Sequence, residues 1–133
     1  MTDKQLMELA VEARKRAYTP YSGFKVGAAL LAKSGKVYLG CNIENAAYTP
    51  TNCAERTAFF KAVSEGEMQF EKIAIVGGKE ELLPLCAPCG VCRQVMAEFC
   101  DDQFEVILGT PDNFKGYKLN EVLPFAFTPV HLN

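Results

Sequence analysis

The sequence lacks several features that define common classes of protein. It contains no tryptophan and a single histidine, His131, two residues from the end of the chain. A histidine-rich metal site and a Ser-His-Asp catalytic arrangement therefore cannot be assembled from these residues. No stretch of about 18 consecutive apolar residues is present, so we expect no membrane-spanning helix and no membrane partner.

The chain also lacks an excess of positive charge. Its 14 lysines and arginines are outnumbered by 16 acidic residues, which gives a formal charge of −2. Nucleic-acid backbones are bound by clustered Lys and Arg side chains, so we expect a small or neutral ligand and no nucleic-acid partner. The first residues contain no apolar core of a secretory signal, which predicts a cytoplasmic protein.

What the chain does contain is typical of one globular domain. A length of 133 residues, with 49% hydrophobic and 23% charged residues, predicts a single domain over 1–133. The six cysteines are more typical of buried, metal-bound or catalytic thiols than of disulfides in such a protein.

Hydrophobic periodicity predicts alternating helices and strands. Thr2 and Gln5 have capping-box spacing, and apolar residues then recur at helical intervals until Thr19. Further helices are expected over 53–65 and 89–100, a helical turn over 120–123, and strands over 26–32, 36–41, 72–76, 104–108 and 116–119. The order predicts an α/β fold, a three-layer α/β/α sandwich with a mixed, roughly five-stranded sheet.

Three cysteines lie at the starts of two predicted helices. Cys89 and Cys92 share a helix face and can bind one tetrahedral metal. Alone, this C-x-x-C spacing fits a thioredoxin-like redox pair or half of a structural zinc knuckle equally well. Cys53 begins the other helix, and Glu55 can reach the same point beyond the helix end because helical side chains tilt toward the N-terminus.

The charges of these residues favour a catalytic zinc site. Two helix N-termini favour thiolates over thiols, but three thiolates exceed the charge of Zn²⁺ by one. Arg56, three residues after Cys53, lies on the face where it can hydrogen-bond to the sulfurs and offset that excess. Three protein ligands leave a fourth position for water, so we predict one Zn²⁺ per chain on Cys53, Cys89 and Cys92, with Glu55 as proton carrier.

Two alternatives concern residues beside this site. Asn52 and Glu55 have capping-box spacing, which is typical of a glutamate that only satisfies a helix amide. Cys86, three residues before Cys89, creates a rival ligand pair, and as a fourth ligand it would make the zinc purely structural. Because Cys86 precedes Pro88, we expect it in the approach to the helix rather than in its first turn.

The combined motifs resemble the short cytidine deaminases of nucleoside salvage. The matching stretches are Pro20-Tyr21-Ser22-x-Phe24, Val26-Gly27-Ala28-Ala29-Leu30, Gly40-Cys41-Asn42-Ile43-Glu44-Asn45-Ala46, Cys53-Ala54-Glu55-Arg56-Thr57-Ala58, Pro88-Cys89-Gly90-x-Cys92-Arg93-Gln94-Val95 and Leu123-Pro124-x-x-Phe127. The resemblance implies hydrolytic deamination of cytidine and deoxycytidine in pyrimidine salvage. Zinc-bound hydroxide would attack C4 while Glu55 shuttles protons.

The same resemblance implies how a nucleoside is bound. Asn42 and Glu44 would hold ribose hydroxyls, Phe24 and Ala54 would contact the nucleoside, and Phe127 would reach a neighbouring subunit's pocket. The implied assembly is a homotetramer with active sites at subunit interfaces. From the residues alone, the alternatives are loop capping for Asn42, a solvated charge for Glu44 and core packing for both phenylalanines.

Two points concern the limits of the resemblance. Phe125 stands where the family usually has a small residue, which predicts a rearranged contact near Phe127. A related deaminase acting on a nucleotide, an RNA base or a nucleoside antibiotic is the alternative function. The acidic balance disfavours RNA, and Glu44 would repel a phosphate if it faces the 5′ side of the sugar.

Overall fold

The protein is described by a computed structural model of residues 1–133, which contains one five-stranded sheet with helices on both faces. The elements in chain order are α1 (Asp3–Arg14), β1 (Lys25–Ala32), β2 (Val37–Cys41), α2 (Ala54–Ser64), β3 (Phe70–Gly78), α3 (Gly90–Phe99), β4 (Glu105–Thr110), β5 (Asn113–Lys118), the short α4 (Leu119–Val122) and a 3₁₀ turn (Pro129–Leu132). The predicted order is confirmed, although α1 ends well before Thr19 and the 3₁₀ turn was not predicted. None of the helices has the length and apolarity needed to cross a membrane.

The sheet is mixed, with strand order β2-β1-β3-β4-β5. Only β3 and β4 are parallel, and the segment between them carries α3 as the crossover. The other neighbours are antiparallel. Thr110 pairs with Asn113, so Pro111 and Asp112 form the turn expected between the last two strands.

Apolar residues cover both faces of the sheet. Helix α1 covers one face, where the core cluster consists of Leu6, Met7, Ala10, Ala29, Leu31, Ala74, Val76 and Ile107. Helix α2 and part of α3 cover the other face, around the buried ring of Phe59. The predicted three-layer sandwich is therefore confirmed, and the run of buried residues along β1 reflects a strand enclosed on both sides.

Helix α2 approaches the sheet closely at Gly40 in β2. A β-carbon at Gly40 would overlap the Ala54 carbonyl oxygen and lie 2.6 Å from the Ala58 amide nitrogen. The first turns of α2 therefore rest directly on strand backbone, which fixes where the start of this helix projects.

Helices α2 and α3 both begin immediately after a cysteine. Cys53 and Cys89 occupy the N-cap positions with extended backbone, and neither side chain makes a capping hydrogen bond. Both helices therefore begin one residue later than the sequence predicted. This placement brings each sulfur just beyond the end of its helix, where the amide groups of the first turn point.

Candidate active site

The sulfurs of Cys53, Cys89 and Cys92 form one cluster, with all three atoms within 4.8 Å of one another. The Cys53–Cys89 distance is 3.7 Å and the Cys89–Cys92 distance is 3.5 Å. Tetrahedral zinc with Zn–S bonds of about 2.3 Å separates its sulfurs by about 3.8 Å. These two distances lie within a few tenths of an ångström of that value, and the cluster supplies three ligands rather than four.

Arg56 lies against this cluster. Its Nη2 donates to the Cys53 Sγ over 3.2 Å, and its buried Nε has no hydrogen-bond partner in the chain. A hydrogen bond from the Cys92 thiol, together with the guanidinium, lowers the pKa of Cys53 to about 5. The proton shared by the two sulfurs stays on Cys92, so the pKa of Cys92 is raised. The guanidinium is thus placed to stabilise thiolate charge, which suits a zinc site with three cysteine ligands.

Glu55 is the only charged residue in the buried core, with 4% of its surface exposed. Burial raises its pKa to about 7, because removing the ionised carboxylate from water is costly. Near neutral pH both protonation states are then accessible, which suits a group that accepts and returns a proton.

The Asn52–Glu55 capping box is not formed. The N-cap of α2 is Cys53, so the capping-box position three residues later is occupied by Arg56 rather than by Glu55. Asn52 instead donates from its side chain to the Thr57 hydroxyl over 3.2 Å. Glu55 occupies the second position of the helix, and its carboxyl group lines the cavity beside the sulfurs.

A cavity of about 290 Å³ opens beside the sulfur cluster. It is lined by Ser22, Phe24, Val26, Asn42, Glu44, Thr51, Asn52, Cys53, Ala54, Glu55, Cys86, Ala87 and Cys89. Its size lies at the small end of ligand cavities, which hold ~300–1,000 Å³. The structure therefore brings together the predicted metal ligand Cys53, the proton carrier Glu55 and four of the five predicted nucleoside contacts.

Asn42 and Glu44 line this cavity and are held in fixed orientations by hydrogen bonds. The Asn42 amide accepts from the Val26 N–H and donates to the Phe24 carbonyl, each over 2.8 Å. The Glu44 carboxylate accepts from the Ser22 hydroxyl and from two backbone N–H groups, and these bonds lower its pKa. The loop-capping alternative for Asn42 is thus consistent with its bonds to backbone. The alternative that Glu44 is only a solvated charge is not, because its carboxylate is hydrogen-bonded within the chain.

Two further side chains that the site uses were not predicted as part of it. Ser22 holds Glu44 through its hydroxyl, and it lies within the quoted Pro20-Tyr21-Ser22-x-Phe24 motif, which was the available signal. Arg93 donates to the Pro88 carbonyl over 2.8 Å and to the Val122 carbonyl over 2.7 Å. Arg93 thereby joins the start of α3 to the C-terminal part of the chain.

Cys86 lines the cavity but does not belong to the sulfur cluster. It lies in the extended approach to α3, as its position before Pro88 predicts. Burial raises its pKa to about 11, so its thiol stays protonated at neutral pH. The geometry therefore favours Cys89 and Cys92 as the ligands from this segment.

The two C-terminal phenylalanines lie outside this chain's own cavity. Phe127 is 58% exposed, its ring stacks on His131 with centroids 5.1 Å apart, and its carbonyl accepts from the Gln94 side chain over 2.8 Å. Phe125 is fully exposed and has a φ of 56°, a left-handed conformation that is unfavourable for a bulky residue. Phe24 lines the cavity and belongs to neither core cluster. The alternative that Phe24 and Phe127 pack in the core is therefore wrong.

Comparison with known proteins places these features in a family. Residues 1–108 match the model of the cytidine and deoxycytidylate deaminase zinc-binding region. A cytidine deaminase of Sporosarcina psychrophila is 49% identical over 100% of this chain and 96% of its own. One of Mycobacterium tuberculosis is 39% identical over 89% of this chain and 84% of its own.

Solved structures agree with the sequence comparison. The crystal structure of a cytidine deaminase from Burkholderia pseudomallei has a TM-score of 0.88 and 47% identity, and it covers 96% of this chain and 100% of its own. That of a cytidine deaminase from Mycobacterium tuberculosis has a TM-score of 0.81 and 37% identity, covering 96% and 98%. The sheet, the three-cysteine cluster and these matches agree, and the chain belongs to the cytidine and deoxycytidylate deaminase family.

Proposed function

We propose that this protein hydrolyses cytidine and deoxycytidine to uridine and deoxyuridine, releasing ammonia, and acts in pyrimidine salvage. The observation that carries the proposal is the buried Glu55 carboxyl group beside three clustered cysteine sulfurs in a cavity of nucleoside size. A purely structural zinc would need a fourth protein ligand. Cys86 is the candidate for that role, but it lies outside the cluster of three sulfurs.

Glu55 carries the protons of the proposed reaction. Bound to the three thiolates, zinc would lower the pKa of water so that it can act as a nucleophile at neutral pH. Glu55 accepts one proton from the water that attacks C4 and delivers it to N3, and it then takes the second proton of that water from the new C4 hydroxyl group and delivers it to the departing amine, which leaves as ammonia. Its pKa of about 7 lets the same group serve as base and then as acid.

Asn42 and Glu44 are the proposed ribose ligands. After its two bonds to backbone, the Asn42 amide retains one N–H and one oxygen lone pair, and Glu44 likewise retains acceptor capacity. An amide and a carboxylate together can hold a pair of hydroxyls. Phe24 offers an aromatic face to the planar base, and Ala54 closes the cavity at the start of α2.

A spectrophotometric assay with cytidine, deoxycytidine, cytosine and CMP tests this proposal. We expect the zinc-loaded protein to convert both nucleosides. Cytosine should be a substrate with roughly 10–100-fold lower kcat/KM, because it lacks the sugar that hydrogen-bonds to charged and polar groups. CMP should also be disfavoured if the Glu44 carboxylate faces the 5′ side of the sugar, because it would then repel the phosphate. No turnover of either nucleoside by zinc-loaded protein would refute the proposal, and preferential turnover of CMP would favour the nucleotide alternative.

We also propose that the protein forms a homotetramer in which Phe127 completes a neighbour's active site. Several apolar side chains near the C-terminus are exposed, and those most exposed are Phe125, Phe127, Val130 and Leu132. Of these, Phe125 and Val130 line a groove of about 670 Å³ beside the end of α3. Such a surface is typical of a buried contact between chains.

The six free cysteines support the cytoplasmic location predicted from the sequence.

Hybrid tetramers test the role of Phe127. We expect the wild type to sediment at four times the 14.6 kDa chain, and Glu55→Gln and Phe127→Ala to be poorly active when each is made alone. Co-expressing the two variants should restore activity to about a quarter of the wild-type value, because random assembly gives that share of sites an intact Glu55 and a neighbour's intact Phe127. A monomer, or hybrids no more active than their parents, would contradict the proposal.

A further inference from the structure

Cys86 is a cavity residue that the proposed reaction does not use. It lines the cavity three residues before Cys89, yet its sulfur is outside the metal-binding cluster. Its thiol makes no hydrogen bond within the chain, so it acts as a small apolar side chain at this position. Resting on the proposed function, we propose that Cys86 determines the size of substituent that a substrate can carry at C5 of the cytosine ring.

Gly77 in β3 holds the Cys86 side chain against the cavity. A β-carbon at Gly77 would lie 2.5 Å from the Cys86 sulfur, 3.2 Å from the Cys86 β-carbon and 3.2 Å from Val26 Cγ2. The Cys86 sulfur therefore rests directly on the backbone of β3, with Val26 beside it. It cannot retreat toward the sheet, so any change in its size alters the space left for a ligand.

The chemistry of deamination places Cys86 near C5 rather than near N3. C4 must approach the metal, and N1 must point toward the ribose ligands Asn42 and Glu44. Glu55 must reach both N3 and the departing amine, so it occupies the N3 edge of the ring. The segment that leads to Cys89 also lines the cavity and is left to face the other edge, which carries C5.

An apolar wall of this kind selects by volume. Adding or removing about one methylene in a hydrophobic pocket changes discrimination between substrates by roughly 10–200-fold. A methyl or halogen group at C5 is of that size. The side chain at position 86 should therefore change the preference between C5-substituted and unsubstituted nucleosides.

Three substitutions test the inference through the ratio of kcat/KM for 5-methylcytidine or 5-bromocytidine to that for cytidine. Cys86→Ala should raise this ratio about tenfold, because removing the sulfur atom enlarges the cavity beside C5. Cys86→Leu should lower it by a similar factor. Cys86→Ser replaces the sulfur with a smaller hydroxyl oxygen and should shift the ratio in the same direction as Cys86→Ala despite its polarity, which separates size from polarity.

Gly77→Ala provides an independent variant, because it pushes the Cys86 sulfur into the cavity without changing residue 86. It should lower the ratio in the same direction as Cys86→Leu. Calorimetric binding of uridine and 5-methyluridine to the zinc-loaded variants gives a readout that does not depend on turnover, and the ratio of their Kd values should follow the same order.

The outcomes separate the inference from the proposed function. If the wild type does not turn over cytidine, the proposed function fails and this inference fails with it. A different result overturns the inference alone: cytidine is deaminated, but in Cys86→Ala and Cys86→Leu both the kcat/KM ratio and the Kd ratio stay within about twofold of the wild-type values. Loss of zinc from Cys86→Ala would also overturn it, because Cys86 would then be a metal ligand.

Discussion

Replacing Glu55 with glutamine is expected to lower kcat for cytidine by roughly 10²–10⁴-fold, the contribution typical of a general acid-base group. The amide matches the carboxyl group in shape but cannot accept the proton of the attacking water. The measurement is steady-state deamination together with zinc analysis of the purified variant. About one zinc per chain should remain, because Glu55 is not among the clustered ligands.

The fold of the Glu55→Gln variant should be preserved. Its thermal unfolding midpoint is not expected to fall, because the amide fills the same space and removes the cost of burying an ionised carboxylate. Glu8→Gln, an exposed substitution in α1, is the matched control and should keep wild-type activity. Substantial turnover by a zinc-loaded Glu55→Gln variant would show that another group carries the protons.

Replacing Cys92 or Cys53 with serine is expected to abolish stoichiometric zinc binding. Cys92 is almost fully buried, and its thiolate is one of only three available ligands. Zinc binding free energy is also folding free energy, so the loss should destabilise the protein by about 4 kcal/mol if free zinc exceeds its Kd a thousandfold. Elemental analysis and thermal unfolding measure the two effects.

Two cysteine variants serve as controls for this experiment. Cys86 lines the cavity but lies outside the cluster, so the Cys86→Ala variant should retain about one zinc per chain. Cys100→Ala, at the far end of α3, should also retain zinc and lose only the stability due to packing. The assigned ligand set is wrong if Cys92→Ser retains stoichiometric zinc while Cys86→Ala loses it.

Local features of the fold were predictable because they depend on neighbouring residues. The Thr2–Gln5 capping box is present at the start of α1, and strands β1 and β2 follow the predicted apolar runs within one residue. The metal cluster was also accessible from the sequence, since helix starts are marked by spacing and flanking residues. Each predicted start of α2 and α3 was one residue early, because the cysteine itself is the cap.

Features that depend on distant residues were not predictable. Nothing local indicates that β3 pairs in parallel with β4 at the centre of the sheet, or that α2 packs onto the backbone of Gly40. The Asn42 side chain bonds to backbone near Phe24, 18 residues earlier, and sequence spacing does not reveal such a contact. The space around Cys86 likewise depends on Gly77 in a different element.

The uncapped starts of α2 and α3 have a consequence for metal exchange. Residues at N-cap positions usually accept an amide hydrogen bond, but the Cys53 and Cys89 side chains make none, so both sulfurs remain available for a metal. Fraying of either first turn would displace a ligand and a wall of the cavity together. Zinc release should therefore be controlled by the rate at which these turns open, and amide hydrogen exchange in them should slow when the ion is bound.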